Sequence, residues 1–236
     1  MKYLLLGAAI ALPLTLACDQ QPTPKLPDLA ADAIAEQHDD PDGPAAAPVV
    51  KNAPSVGTPV DAVALANGET QGRGVRGGEN AKVQVMVFSD FECPYCTKLV
   101  PSLEEVTETY GDDVSVTFKQ MPLSFHASAE PAARASLAAK EQGKFWEMHD
   151  ALFASPAEVK AGNFGAIAKK IGLDVERFEH DMDDPELAKQ IQRDIEDAKA
   201  LGIRGTPSMV IGDQLVVGAR PLPEIFAVID AELAGG

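Results

Sequence analysis

The 236-residue chain predicts an α/β domain, and three observations carry that expectation. Valine-rich runs that read as strands flank a long block of helical spacing. Cysteines 93 and 96 stand at the mouth of the first helix. After Tyr3 the next aromatic residue is Phe88, so the material for a core is confined to the later part of the chain. The element order is βαβ, a helical block, then ββα.

Residues 82–89 (KVQVMVFS) are rich in Val with few polar positions, as in a strand buried on both faces. After Cys93 the apolar residues Leu99, Leu103, Val106 and Tyr110 follow at three- and four-residue intervals, and Gly111 ends a helix. Residues 114–119 alternate as a strand, and Met121-Pro122 stops it. Together they form a βαβ unit. From about 127 to 201 the chain reads as helices broken at Gly143, Ser155-Pro156, Gly162, Gly172 and Asp184-Pro185. Phe145, Trp146, Met148, Leu152 and Phe153 supply their apolar stripe. Residues 208–211, a turn at Gly212-Asp213 and residues 215–217 predict a hairpin, and an amphipathic helix at about 223–233 closes the domain.

The domain expected is residues 80–236, about 155 residues, ample for one core. Before it, residues 19–80 lack aromatics and are rich in Pro, Ala and Asp, too little apolar surface to offset the entropy of ordering. The expectation is a tether with a reach of about 40 to 45 Å. The glycine-rich piece 71–78 reads as the loop leading into the fold. Residues 1–17 combine Lys2, an apolar run and Ala17, the pattern of an export signal that is short for a membrane span. Cys18 follows in a segment that resembles the lipobox of bacterial lipoproteins, although Thr15 stands where that pattern usually has Leu. The resemblance implies a lipidated N-terminus over residues 18–79 and a membrane anchor. A net charge of -16 and no basic cluster exclude nucleic acid bound through a basic surface.

Cys93 and Cys96 are spaced for thiol–disulfide exchange. One sulfur at a helix N-terminus is favoured as thiolate by orphan N–H groups, and a second, three residues on, shares its face and resolves the mixed disulfide. Pro94 suits the first turn, where its missing N–H is not needed. A structural staple over so short a loop contributes only about 2 kcal/mol. A zinc site lacks further ligands, since no second Cys-x-x-Cys exists and the histidines are scattered. No metal and no cofactor are expected.

The segments FSDFECPYC (88–96), MPLSFHASAEPAARASLAAKEQGKFWEMHDALF (121–153) and LGIRGTPSMVIGDQLVVGARP (201–221) together resemble the DsbA-like proteins of bacterial envelopes. That resemblance implies a thioredoxin fold with an inserted helical domain and catalysis by Cys93 and Cys96. It also implies a cis Thr206-Pro207 bond facing them, the Thr206 backbone being open to client segments. Supporting positions are Pro94, Tyr95, Lys119 and His126. Many relatives carry a buried acid six residues before the first cysteine, where this chain has Val87. The carboxylates of Asp90 and Glu92 are expected to oppose the lowering of the Cys93 pKa by the helix terminus, which leaves the size of that lowering open. Lys119 reads as offsetting that charge, as assisting proton transfer, or as a solvated surface lysine. His126 reads as a capping, packing or proton-transfer group, and His149 as structural. The activity implied is a monomeric disulfide-forming oxidase of cysteine-containing exported proteins, reoxidised by a DsbB-like or other membrane redox partner. A reductase or isomerase kept reduced, and an anchored non-catalytic binding module, stay open as alternatives.

Overall fold

The computed structural model describes residues 58–59 and 74–235. The export signal, Cys18 and most of the tether lie outside the described residues. Six strands form one sheet: β1 (Thr58–Pro59), β2 (Val75–Gly77), β3 (Val83–Ser89), β4 (Val114–Gln120), β5 (Ser208–Ile211) and β6 (Gln214–Val217). Their order is β1-β6-β5-β3-β4-β2, with β3 and β4 parallel and every other pair antiparallel. The parallel pair demands a crossover, which α1 (Pro94–Tyr110) supplies.

Six helices fill the insertion: α2 (Ala129–Lys140), α3 (Phe145–Ala154), α4 (Pro156–Lys160), α5 (Phe164–Lys170), α6 (Val175–Met182) and α7 (Pro185–Ala200). Their boundaries fall at the expected Gly and Pro breakers. Asp174 and Asp184 cap α6 and α7, each accepting a backbone N–H of the first turn. The chain ends on α8 (Leu222–Gly235).

Alternation along β3 divides the core. Val83, Val85 and Val87 face α1 and α8, packing with Leu99, Leu103, Val106, Ile225 and Ile229. Met86 and Phe88 face the other way, toward Ala198 of α7 and Ile203. A third cluster is built by the insertion and takes in Phe91, Cys93, Cys96 and Phe118. The thiols therefore lie where the insertion meets the sheet.

The sheet departs from expectation in two ways. First, it gains edge strands from segments read as tether and loop. Thr58–Pro59 pairs with β6, and β2 pairs with β4 through Val75↔Thr117, Arg76↔Val116 and Gly77↔Ser115. The glycines that make 71–78 look like a loop are there for close approach: a Cβ on Gly77, at φ +103°, would overlap the Val114 carbonyl oxygen. Second, all seven residues of β4 are buried, including Ser115, Thr117 and Lys119, although their alternation reads as one solvated face. That face is covered by α7.

Candidate active site

The end of β3 turns sharply into α1. The Cys93 N–H donates to the Asp90 carbonyl (3.1 Å), and Cys93 becomes the N-cap residue with Pro94 behind it in the first turn. The N–H groups of Cys96 and Thr97 converge on the Cys93 carbonyl, at 3.0 and 3.2 Å. Across from this turn the Thr206-Pro207 peptide bond is cis. The Cys93 Sγ lies 3.5 Å from the Thr206 carbonyl oxygen, to which its thiol donates. The Thr206 hydroxyl is buried and faces the two sulfurs.

These surroundings split the two thiols. Cys93 is lowered from 9.0 to about 5, chiefly by the hydrogen bond from the Cys96 thiol; burial opposes this, and Thr206 and the N–H groups of Cys96 and Tyr95 add to it. Cys96 moves the other way, because its burial and the neighbouring Cys93 sulfur disfavour a second anion. The hydroxyls of Ser89 and Thr206 offset part of that rise. One thiolate and one held proton are thus stable side by side.

The net shift of Cys93 is downward, so opposition from Asp90 and Glu92 does not prevail. Their carboxylates are engaged elsewhere. Asp90 Oδ1 accepts the Glu92 N–H (2.8 Å), and Oδ2 accepts the Leu123 N–H (2.7 Å) and meets His126 Nδ1 (2.9 Å). Glu92 accepts the Ser128 N–H. His126 therefore meets Asp90, joining the loop after β4 to the cysteine turn.

Lys119 is corrected outright. Its neighbour Phe118 stacks on Phe91 beside the cysteines (ring centroids 5.2 Å apart), so strand alternation sends Lys119 to the opposite face. There it is 2% exposed, with Asp197 at 2.6 Å and Asp194 at 3.6 Å. It is neither a surface lysine nor a counter-charge to Asp90 and Glu92. Val87 is buried in the apolar cluster with Leu99 and Met209, with no acid in its place. Tyr95 is half-exposed, its ring 5.3 Å from the Lys98 ammonium.

One residue that meets the sulfurs escaped the sequence reading. Ser89, buried at the end of β3, reaches Cys96. Its signal was available, because period two places it on the face of Val87. His149 is structural as read, but its setting was not legible. Its ring is surrounded by Phe91, Phe118, Trp146 and Phe153 at 4.9–5.9 Å, and its Nδ1 bonds Asp150 Oδ1 at 2.7 Å. Arg76 of β2 also reaches Asp150 (3.1 Å) and lies over Trp146. Burial pushes the His149 pKa down, so the ring is held neutral.

A βαβ–ββα sheet with an inserted helical domain and two cysteines at a helix mouth defines the thioredoxin-fold class. The family model described as the DSBA-like thioredoxin domain matches residues 84–229, and the chain belongs to that family of thiol–disulfide oxidoreductases. The chain is similar to a thioredoxin-like oxidoreductase from Silicibacter pomeroyi DSS-3, with 30% identity, a TM-score of 0.66, and 70% of this chain and 95% of that one covered. It is also similar to a periplasmic thioredoxin-like protein from Salmonella enterica serovar Typhimurium, with 26% identity, a TM-score of 0.61, and coverage of 74% and 97%. Among curated proteins it is 32% identical over 161 residues to the Na(+)/H(+) antiporter NhaA of Herminiimonas arsenicoxydans, covering 68% of this chain and 26% of the antiporter. The chain spans about a quarter of the length of the curated relatives it matches. No helix among the described residues is long and apolar enough to cross a membrane.

Proposed function

We propose that the protein is a disulfide-forming oxidase of exported proteins, with Cys93 as the exchanging sulfur and Cys96 as the resolving one. The observation that carries this reading is the split of the pair, Cys93 lowered to about 5 while Cys96 is raised. A stabilised Cys93 thiolate stabilises the reduced enzyme, which makes its disulfide the stronger oxidant.

In the oxidised enzyme a client thiolate attacks Cys93 Sγ, the Cys93–Cys96 bond breaks, and Cys96 leaves and takes up a proton. The client's second thiolate then attacks the client sulfur of the mixed disulfide, and Cys93 leaves as the thiolate. Two electrons pass from the client to the pair, and one of the two client protons goes to solvent. In this reading the Thr206 backbone, beside Pro207, pairs with an extended client, a role supported by the 3.5 Å between its carbonyl oxygen and Cys93 Sγ. Pro94 and Tyr95 complete the turn. A DsbB-like membrane partner returns the pair to the disulfide.

The envelope location rests on the export-signal pattern of residues 1–17 and on the likeness to a periplasmic protein. Lipid on Cys18 would hold residues 18–79 as the link between membrane and domain. The direction of electron flow is tested by equilibrating the pair against glutathione and reading its potential. A value near about -120 mV supports the oxidase, and one near about -270 mV assigns a reductase instead. In a peptide-oxidation assay the Cys93→Ala variant is expected to show no activity above buffer. Rates equal to wild type would reject the enzyme reading in favour of a binding module.

A further inference from the structure

Strand β3 ends at Ser89 and α1 begins at Pro94, so the residues from Asp90 to Cys93 must turn the chain from one element into the other. Asp90 takes the first place in that turn. Its carbonyl accepts the Cys93 N–H at 3.1 Å and its Oδ1 accepts the Glu92 N–H at 2.8 Å, which closes the turn twice over. Aspartate suits this place because its short side chain reaches the N–H two residues on. The turn uses one carboxylate oxygen, and the other serves a different element. Oδ2 accepts the Leu123 N–H at 2.7 Å and meets His126 Nδ1 at 2.9 Å, both in the loop after β4. Asp90 is 1% exposed. A carboxylate so buried is costly unless donors replace its water, and three of them meet this one.

We propose that Asp90 is a positioning residue for exchange: by tying the cysteine turn to the loop after β4, it fixes where Cys93 Sγ stands against the groups that hold it as thiolate. The inference rests on the exchange role of Cys93 proposed above. Cys93 is placed by the helix it caps on one side and by the Asp90 carbonyl on the other. Its sulfur stands 3.5 Å from the Thr206 carbonyl oxygen and draws on the N–H groups of Tyr95 and Cys96. Hydrogen bonds weaken steeply when distance or angle is lost. A looser turn therefore moves the sulfur off its donors and destabilises the thiolate. Charge alone acts the other way, because a nearby carboxylate disfavours a second anion and its removal favours the thiolate. Position and charge thus predict shifts of opposite sign when Asp90 is replaced.

The test uses the reduced full-length protein and iodoacetamide, with alkylation of Cys93 followed against pH on the tryptic peptide 83–98, apart from Cys18. Wild type is expected to show a midpoint near 5. Asp90→Asn keeps an oxygen for the Glu92 N–H but sets an amide NH2 against the Leu123 N–H, and should raise the midpoint by about one unit. Asp90→Ala loses both ties and should raise it by about two, the upper range for a hydrogen bond to an anion. At pH 7 the potential of the couple should fall by about 30 mV for each unit. Urea unfolding shows whether each variant is folded, and the Asn variant alone decides the sign should the Ala variant not fold. A midpoint that falls in either variant would assign Asp90 an effect of charge only, and one that stays in place would make it a structural residue. Either result overturns the proposal. If wild type itself titrates near 9, the exchange reading loses its activated sulfur and this proposal falls with it. That result is distinct from a wild-type midpoint near 5 that the variants leave unmoved.

Discussion

Two buried polar sites lie on opposite faces of the sheet, near the ends of β3 and β4, and they are built in opposite ways. Around Lys119 charge is matched by charge. The ammonium has Asp197 and Asp194, and Asp194 also accepts the Gln120 N–H (2.9 Å) and the Gln190 side-chain amide (3.2 Å). Around the thiols the shift comes from hydrogen bonds and burial rather than from an ion of opposite sign among the described residues. Cys93 is held as an anion by a neighbouring thiol, the Thr206 side chain and N–H groups. The first arrangement joins the insertion to the sheet. The second leaves a sulfur whose proton and bond can change, which is what exchange requires.

The contrast is sharpest in acidity. Cys93 is depressed from 9.0 to about 5, so the thiolate is lost only as the pH falls through about 5. Alkylation of the reduced protein should rise with pH and level off with a midpoint near 5, and a midpoint near 9 would erase the distinction. The sign for the couple follows. Below about pH 5 reduction takes up two protons and the potential should fall by about 59 mV per pH unit; above it one proton is taken up and the slope should halve to about 30 mV.

Next in size is the ion network. Asp194→Ala leaves the Lys119 ammonium buried with one carboxylate and should cost about 3 to 5 kcal/mol in urea unfolding. The Cys93 midpoint should stay near 5, because the network is on the far face. A midpoint displaced by a full unit would show that the two sites are one.

A smaller loss is expected at the edge of the sheet. Gly77→Ala places a Cβ against the Val114 carbonyl at a positive φ, and should cost about 1 to 3 kcal/mol of unfolding free energy. Stability equal to wild type would mean that β2 does not hold the edge it pairs with.

The smallest effect belongs to Thr206→Val. Losing the hydroxyl should raise the Cys93 midpoint slightly, since Thr206 holds that pKa down. Exchanging this buried hydroxyl, which serves only the sulfurs, for a methyl should leave stability nearly unchanged. A marked loss of stability would place Thr206 with the structural network rather than with the thiols.

The extent to which this was legible in the sequence varied with the range of the interactions. The helix after Cys93, its end at Gly111, the breaks of the insertion and the closing hairpin all stand where spacing and turn residues placed them. Edge strands β1 and β2 did not declare themselves, because proline and glycine read as loop unless the strand they pair with is known. Lys119 read as solvated because its partners Asp194 and Asp197 arrive from α7, more than seventy residues on. Asp90 and Glu92 read as opposing the thiolate because the N–H groups that engage them belong to another loop.

By itself the sequence determined the α/β order and the position of Cys93 and Cys96 at a helix mouth, since each depends on periodicity or spacing within one segment, and the resemblance of three segments pointed to the family. Only the tertiary structure decided which face Lys119 occupies, that Ser89 and Thr206 meet the sulfurs, and that the loop after β4 is fastened to their turn. Those outcomes depend on which distant elements meet and which groups are thereby removed from water. Backbone period carries no record of either.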